Sequence, residues 1–164
     1  MSDFSGEVDN SAMPIHSKRL GREFAMEFLF SCDLQEEIPG VAKFEQFLET
    51  ARDEFQMKDN RLSRRAEEYA RKLYECVTLE KEEIDGIISR YCENWAWERL
   101  SNVDRNIMRV AVAEMRSFPD VPVIVSIDEA VEIARDFSGV EAGNFINGVL
   151  NAIKNCEFAA ADKK

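Results

Sequence analysis

Two arginines and two large apolar residues form one line along the first predicted helix, beside the line that forms its core. This line consists of Arg19, Arg22, Met26 and Phe30, spaced three or four residues apart. Guanidinium groups bind phosphates, and an exposed aromatic ring beside them can stack an unpaired base. The line therefore predicts a surface for single-stranded RNA. The alternative is that Met26 and Phe30 pack under a neighbouring helix and the arginines serve solubility.

The sequence offers little that could perform catalysis or hold a metal ion. Its single histidine, His16, stands near the N-terminus, and no Cys-x-x-Cys pair occurs. A zinc site needs clustered Cys or His ligands, and a nucleophilic triad needs a histidine beside the nucleophile. None of the seven glycines belongs to a G-x-x-x-x-G-K-[ST] phosphate loop. We therefore predict a protein that is not an enzyme and that uses no cofactor and no metal.

The net charge of −11 opposes nucleic-acid binding by the chain as a whole, but the charges are segregated. Residues 33–59 contain eight acids and three bases, whereas residues 18–22 contain three bases and no acid. A local site for a polyanion is therefore compatible with the acidic total.

No apolar run reaches the roughly 18 residues that span a bilayer, and the acidic N-terminus is unlike a signal peptide. These features predict a cytoplasmic protein that does not associate with a membrane.

Apolar residues recur with a period of about 3.6, which predicts an all-α fold of about seven helices. The first six are expected at about 17–33, 42–57, 61–77, 81–94, 102–117 and 127–137, and the last ends near residue 155. Ser17 is a plausible N-cap. Residues 101–104 and 126–129 have the pattern of capping boxes and predict the starts of the fifth and sixth helices. Residues 121–125 have the composition of a strand, but one strand cannot build a sheet.

The last helix carries asparagines where a solvated helix usually has Glu and Lys. They are Asn144, Asn147, Asn151 and Asn155. Gly148, on the same helix, costs roughly 1 kcal/mol relative to alanine. This composition predicts a close approach by another backbone or directed hydrogen bonds; the alternative is a solvated face.

The domain organisation follows from where the periodicity begins and ends. Residues 1–16 lack it and are predicted to be a disordered acidic extension. Residues 17–155 are predicted to form one helical domain, with an N-terminal subdomain at about 17–78 and a C-terminal subdomain at about 79–155. Residues 156–164 are predicted to be a frayed tail.

Three segments, in order along the chain, resemble the NusB family of transcription antitermination factors. The first is RLGREFAMEFLF at 19–30, and the second is WAWERLSNVDRNIMR at 95–109. The third comprises VP at 121–122, IDEAVEIAR at 127–135 and FINGVL at 145–150. The resemblance spans roughly residues 18–154. It implies a seven-helix fold of two packed helical subdomains.

The resemblance also implies a function. Family members bind RNA together with the ribosomal protein NusE, recognise boxA-type single-stranded RNA in nascent ribosomal RNA transcripts and act within the RNA polymerase antitermination complex. By position, the implied RNA contacts are Lys18, Arg19, Arg22, Phe30, Phe137 and Phe145. The positions implied to dock NusE are Asp104, Arg105 and Glu141.

This sequence departs from the family pattern at several points. The family commonly has more basic residues before the first helix, whereas this chain has Asp3, Glu7 and Asp9. Gly21 stands where alanine is usual, and Asp128 where asparagine is usual. Fewer cations release fewer counterions, so RNA binding by the chain alone should be weak and should depend on a partner. The alternative function is a helical protein-interaction module or homodimer with little intrinsic RNA affinity.

Overall fold

The computed structural model describes residues 13–36, 40–54, 61–92 and 97–159. Within these residues the chain forms seven α-helices, a 3-10 turn at Trp97–Arg99 and no strand. The helices are α1 (Met13–Gln35), α2 (Val41–Glu54), α3 (Arg61–Leu79), α4 (Lys81–Tyr91), α5 (Asn102–Ser117), α6 (Val123–Phe137) and α7 (Val140–Glu157). The prediction of an all-α fold with seven helices is confirmed. None of the described helices combines the length and the apolar character that crossing a membrane requires.

Helix α5 lies at the centre of the fold. Helix α1 packs most extensively on α3, and α6 packs on α7, while α5 contacts both of these pairs and α4. Ten consecutive residues of α5, 106–115, are buried, so this helix is enclosed on all sides. Buried apolar side chains from all seven helices form one contiguous cluster. The division into two subdomains stays a prediction.

Aromatic rings hold α2 and α3 against the second half of α1. The Phe28 and Phe44 centroids are 4.9 Å apart, and the Phe44 and Tyr74 centroids are 4.5 Å apart. Phe47 adds a ring 5.5 Å from Phe28. Such pairs add about 0.5–1.5 kcal/mol beyond the burial of their apolar area. They anchor α2, which makes few other contacts with α1.

Of the two capping boxes predicted from the sequence, the one at Ser101 caps its helix. The Ser101 hydroxyl accepts a hydrogen bond from the Asp104 backbone N–H at 3.0 Å, so α5 begins where the sequence predicted. The prediction at Ser126 is wrong, because α6 begins at Val123 with Pro122 as its N-cap. Proline at the entrance of a helix loses no intrahelical hydrogen bond. Ser126 is therefore inside α6, where it is buried.

The first helix also begins earlier than predicted. Helix α1 begins at Met13, so the prediction that residues 13–16 are disordered and that Ser17 is the N-cap is wrong. Pro14 stands in the first turn, where its missing N–H is tolerated. At the other end, α7 continues to Glu157, into the predicted tail. The predictions for residues 1–12 and 160–164, and the position of Trp95, lie outside the described residues.

A neighbouring helix comes close at Gly21 and Gly143 rather than at Gly148, through its backbone at Gly21 and through a side chain at Gly143. A Cβ at Gly21 would lie 2.8 Å from the Ala66 carbonyl oxygen of α3, and one at Gly143 would lie 2.7 Å from Arg135 Cγ of α6. A Cβ at Gly148 would meet nothing within 4 Å. The close approach predicted at Gly148 is therefore wrong. The asparagine face of α7 is solvated, with Asn151 donating to the Asn147 backbone oxygen at 2.8 Å.

We expect Gly21→Ala to destabilise the fold and Gly148→Ala to stabilise it. The first substitution forces α1 away from the α3 backbone and should lower the free energy of unfolding by about 1–3 kcal/mol. The second fills open space in a helix and should raise it by about 0.5–1 kcal/mol. Urea denaturation of both variants measures the difference. Equal effects at the two glycines would contradict the packing described here.

Candidate nucleic-acid interface

Arg22 is a core residue. It is buried, and its Nε donates to both carboxylate oxygens of Glu114 on α5, at 2.8 and 3.1 Å. Glu114 also accepts a hydrogen bond from Ser126 Oγ of α6 at 2.6 Å and another from the Tyr69 hydroxyl of α3. The expectation that Arg22 contacts RNA is therefore wrong for this structure, because its guanidinium lies between helices. Arg22 instead fixes α1 against three other helices.

Met26 is also inside the protein. It is buried and lines a small internal gap with Ile107, Val110 and Ile133. The sequence-based line of four surface residues is therefore broken in its middle, and for Met26 the alternative of packing under neighbouring helices is confirmed. Phe30 is half-buried near the end of α1, and Arg19 stands near its start.

Arg19 is surrounded by carboxylates. Its guanidinium nitrogens lie 2.9 Å from Glu23, 3.4 Å from Glu129, 3.2 Å from Glu132 and 2.7 Å from Asp136. Its side chain is only 20% exposed, whereas those of Glu132 and Asp136 are 65% and 67% exposed. A phosphate that approaches Arg19 therefore meets the acids of α6 first. The cation is present, but its field is more than balanced by its neighbours.

The remaining predicted RNA contacts lie at separate places. Lys18 is half-buried, with Nζ 5.9 Å from the centre of the Tyr69 ring, on the α3 side of α1. Phe137 is 46% exposed in the last turn of α6. Phe145 is half-buried on α7 and packs against the core. The structure thus leaves Lys18, Phe137 and parts of Phe30 and Phe145 accessible, as an RNA surface requires.

The predicted partner positions include polar atoms without partners. Asp104 Oδ1 and Arg105 Nε are buried and make no hydrogen bond with the described residues. The Arg105 guanidinium lies 5.2 Å from the Trp97 ring centre and donates to the Leu100 carbonyl at 2.9 Å. Glu141 is exposed in the first turn of α7 and forms no salt bridge with the described residues. Buried unsatisfied atoms are costly, and a docked partner could satisfy them.

One polar cluster was not predicted from the sequence. Arg109 is buried and donates to Asp85 at 2.7 and 2.9 Å, and to Asp33 at 2.7 Å. It also donates to Asn106 at 3.0 Å and lies 5.3 Å from the centre of the Trp97 ring. The cluster joins α1, α4 and α5, and its arginine contacts the same Trp97 ring as Arg105. The one feature of the sequence that could have indicated this cluster is Arg109 itself, a charged residue in the middle of an apolar helix.

The pKa of Glu27, an acidic residue on α1, is shifted by its surroundings. Burial, and then the nearby Glu23 carboxylate, raise the pKa of Glu27 to about 7. Between pH 4.5, the ordinary pKa of a glutamate, and pH 7, the folded chain therefore binds more protons than the unfolded chain. This contribution to stability is fully present at low pH and is lost as the pH rises through 7.

We therefore expect Glu27→Gln to be more stable than the parent chain at pH 8 and to lose this advantage near pH 4.5. The difference between the two conditions should be on the order of 2 kcal/mol. Denaturant unfolding across this pH range measures it. Glu49→Gln, on the exposed side of α2, is the matched control, and an identical pH profile in both variants would contradict the assignment.

We expect Glu114→Gln to be strongly destabilising. The substitution keeps the shape of the side chain but removes the carboxylate that accepts from the buried Arg22 guanidinium, while Glu129 remains 3.6 Å from that guanidinium. The loss should be about 3 kcal/mol, at the lower end of the range for a broken buried ion pair. Glu132→Gln removes an exposed carboxylate from Arg19 and should cost less than about 1 kcal/mol. Thermal unfolding compares the two. A similar small loss in both would show that the Arg22–Glu114 pair does not organise the core.

Two comparisons of sequence bear on this geometry. Residues 19–155 match the model of the NusB family. The transcription antitermination protein NusB of Desulfotalea psychrophila is 39% identical over 142 residues, covering 84% of this chain and 94% of that protein. The protein of the same name from Dictyoglomus turgidum is 38% identical over 135 residues, covering 82% of each chain.

Solved structures agree with the sequences. NusB of T. maritima superimposes with a TM-score of 0.70 at 34% identity, covering 85% of this chain and 91% of that one. A crystal structure of the antitermination factors NusB and NusE in complex with double-stranded RNA gives a TM-score of 0.68 at 30% identity, covering 85% and 97% of the two chains. With the family model, the sequences of relatives and the solved structures all matching over most of its length, this chain belongs to the NusB family.

Proposed function

We propose that this chain is an RNA-binding transcription antitermination factor that acts with the ribosomal protein NusE on boxA RNA of nascent ribosomal RNA transcripts. The observation that carries the proposal is the pair of unsatisfied buried atoms, Asp104 Oδ1 and Arg105 Nε, at the position where the family docks NusE. The related NusB in the solved complex is bound to NusE and RNA. The protein acts by binding within the RNA polymerase antitermination complex, without catalysis, in the cytoplasm.

The charges explain why a partner would be needed. The chain carries −11 overall, and its best-placed arginine, Arg19, is neutralised by four carboxylates. Affinity for a single strand grows with the number of phosphates that cations neutralise, and few cations are available here. A partner that adds cations beside α1 would supply the missing contacts. NusE would then determine whether the pair holds RNA at all.

The proposed contacts are divided between two surfaces. Lys18 and Arg19 would contact phosphates, while Phe30, Phe137 and Phe145 would stack or pack against bases. Asp104, Arg105 and Glu141 would contact NusE. Arg22 acts on this surface only by holding α1 in place through Glu114.

We expect labelled boxA RNA to bind weakly to the chain alone and at least 10-fold more tightly when NusE is added. The gain should fall in Arg105→Gln, which removes the guanidinium from the partner surface. Gln46→Ala, exposed on α2, is the control and should leave the gain unchanged. Fluorescence anisotropy at fixed salt measures the affinity of each of the three chains with and without NusE, six affinities in all.

Two results would contradict the proposal. The first is the absence of any gain from NusE in the parent chain. The second is a chain that sediments as a dimer and binds no RNA in either condition, which would favour the alternative of a protein-interaction module. A loss of the gain in both variants would show that Arg105 has no specific role in docking.

A further inference from the structure

A groove runs along the side of α1 that faces away from α6. Its larger part has a volume of about 510 Å³ and lies between α1, α3 and the α5–α6 turn. A smaller part of about 240 Å³ continues it towards the start of α3, and both parts share Lys18, Tyr69 and Lys72. The volume of the larger part is in the range of about 300–1,000 Å³ in which proteins hold small molecules, and the smaller part is below that range. No position that the family implies for RNA other than Lys18 lines either part.

The floor of the groove is aromatic and rigid. The Tyr69 and Phe118 rings are 5.4 Å apart, and the Tyr69 hydroxyl is held by Glu114. Burial, and then the charge of Glu114, raise the pKa of Tyr69, so its hydroxyl remains a donor at physiological pH. A fixed ring beside open space is a stacking platform that needs no rearrangement when a base arrives.

The walls of the groove carry cations that are easily reached. Lys18 and Arg65 form no salt bridge with the described residues, and Lys72 has only an i,i+4 contact with Glu68 at 3.5 Å. Both members of that pair are more than 60% exposed, so a phosphate can replace Glu68 at little cost.

The two sides of α1 therefore differ in charge. Beside α6, Arg19 faces four carboxylates at 3.4 Å or less. In the groove, three cations (Lys18, Arg65 and Lys72) stand with three carboxylates (Glu68, Glu75 and Asp120). In a chain of net charge −11, a neutral groove with a stacking floor is the more favourable path for a single strand.

We propose that the groove between α1 and α3 is a second binding site for single-stranded RNA, in which Arg65 and Lys72 contact phosphates and a base stacks on Phe118 or Tyr69. This inference rests on the proposed RNA-binding function and extends it. RNA held at Lys18 would continue over α3 rather than over the acidic face of α6. The site would lengthen the contacted strand beyond the surface that the family implies.

The test uses charge-neutralising variants of the whole chain with NusE present. Arg65→Gln/Lys72→Gln should weaken binding of a boxA RNA with single-stranded flanks about 10-fold. It should also lower the slope of log affinity against log salt by about 1.4, as expected for two lost phosphate contacts. Arg90→Gln/Lys154→Gln changes the total charge equally at the α4–α7 end and is the matched control. Its affinity should change less than 3-fold.

A misfolded variant would lose RNA affinity, so a variant expected to bind RNA more tightly provides an independent test. Glu68→Gln frees Lys72 and should tighten binding about 2- to 3-fold, whereas Glu82→Gln, exposed on α4, should not. Ultraviolet crosslinking of RNA containing 4-thiouridine should label Tyr69 or Phe118.

The outcomes separate the two proposals. If the parent chain with NusE binds no RNA, the proposed function itself is wrong. If it binds RNA but the Arg65/Lys72 variant matches its control and crosslinks map only to Phe137 and Phe145, the groove site is wrong. Loss of binding to a polyglutamate peptide with unchanged RNA affinity would also overturn it, because the groove would then serve an acidic protein.

Discussion

The buried carboxylate of Glu114 is the interaction on which the rest of the structure depends. It stands on the central helix α5 and accepts hydrogen bonds from side chains of α1, α3 and α6. A charge in the core is tolerated only when it is paired and its oxygens are satisfied, and Arg22, Tyr69 and Ser126 meet both conditions. Since each donor comes from a different helix, the cluster fixes how these helices are placed around α5. The position of α1, which carries the candidate RNA contacts, follows from it.

A second cluster around a buried charged residue lies five residues earlier on the central helix, at Arg109. Arg109 of α5 joins Asp33 at the end of α1 to Asp85 of α4. The two clusters hold α1 near its middle, through Arg22, and near its C-terminal end, through Asp33. This long helix therefore cannot shift along α5 without breaking the ion pair of a buried arginine. Arg105 lies one turn before Arg109 and shares the Trp97 ring with it. The candidate partner surface is thus attached to the same framework as the candidate RNA surface.

The sequence allowed the helices to be located but not the partners of their charged residues. Periodicity depends on local spacing, so α2 to α5 begin within a residue of their predicted starts. Arg22 looked like a surface cation because its counter-charge, Glu114, is 92 residues away. Ser126 looked like a cap because a serine followed by an acid has the same pattern whether its hydroxyl caps a helix or serves a buried carboxylate. The family resemblance, by contrast, predicted the fold correctly because it uses three motifs distributed over roughly residues 18–154.

The charge around α1 gives partner dependence a physical basis. The acids of α6 hold Arg19 in place and so help to fix α6 beside α1, but the same contacts reduce what Arg19 can offer to a phosphate. Removing these acids would expose the cation and weaken the link between the helices. A chain with this arrangement gains RNA affinity more readily from cations outside the Arg19 cluster. Those cations can come from a docked basic partner or from the far side of α1, where Lys18 opens onto the α1–α3 groove.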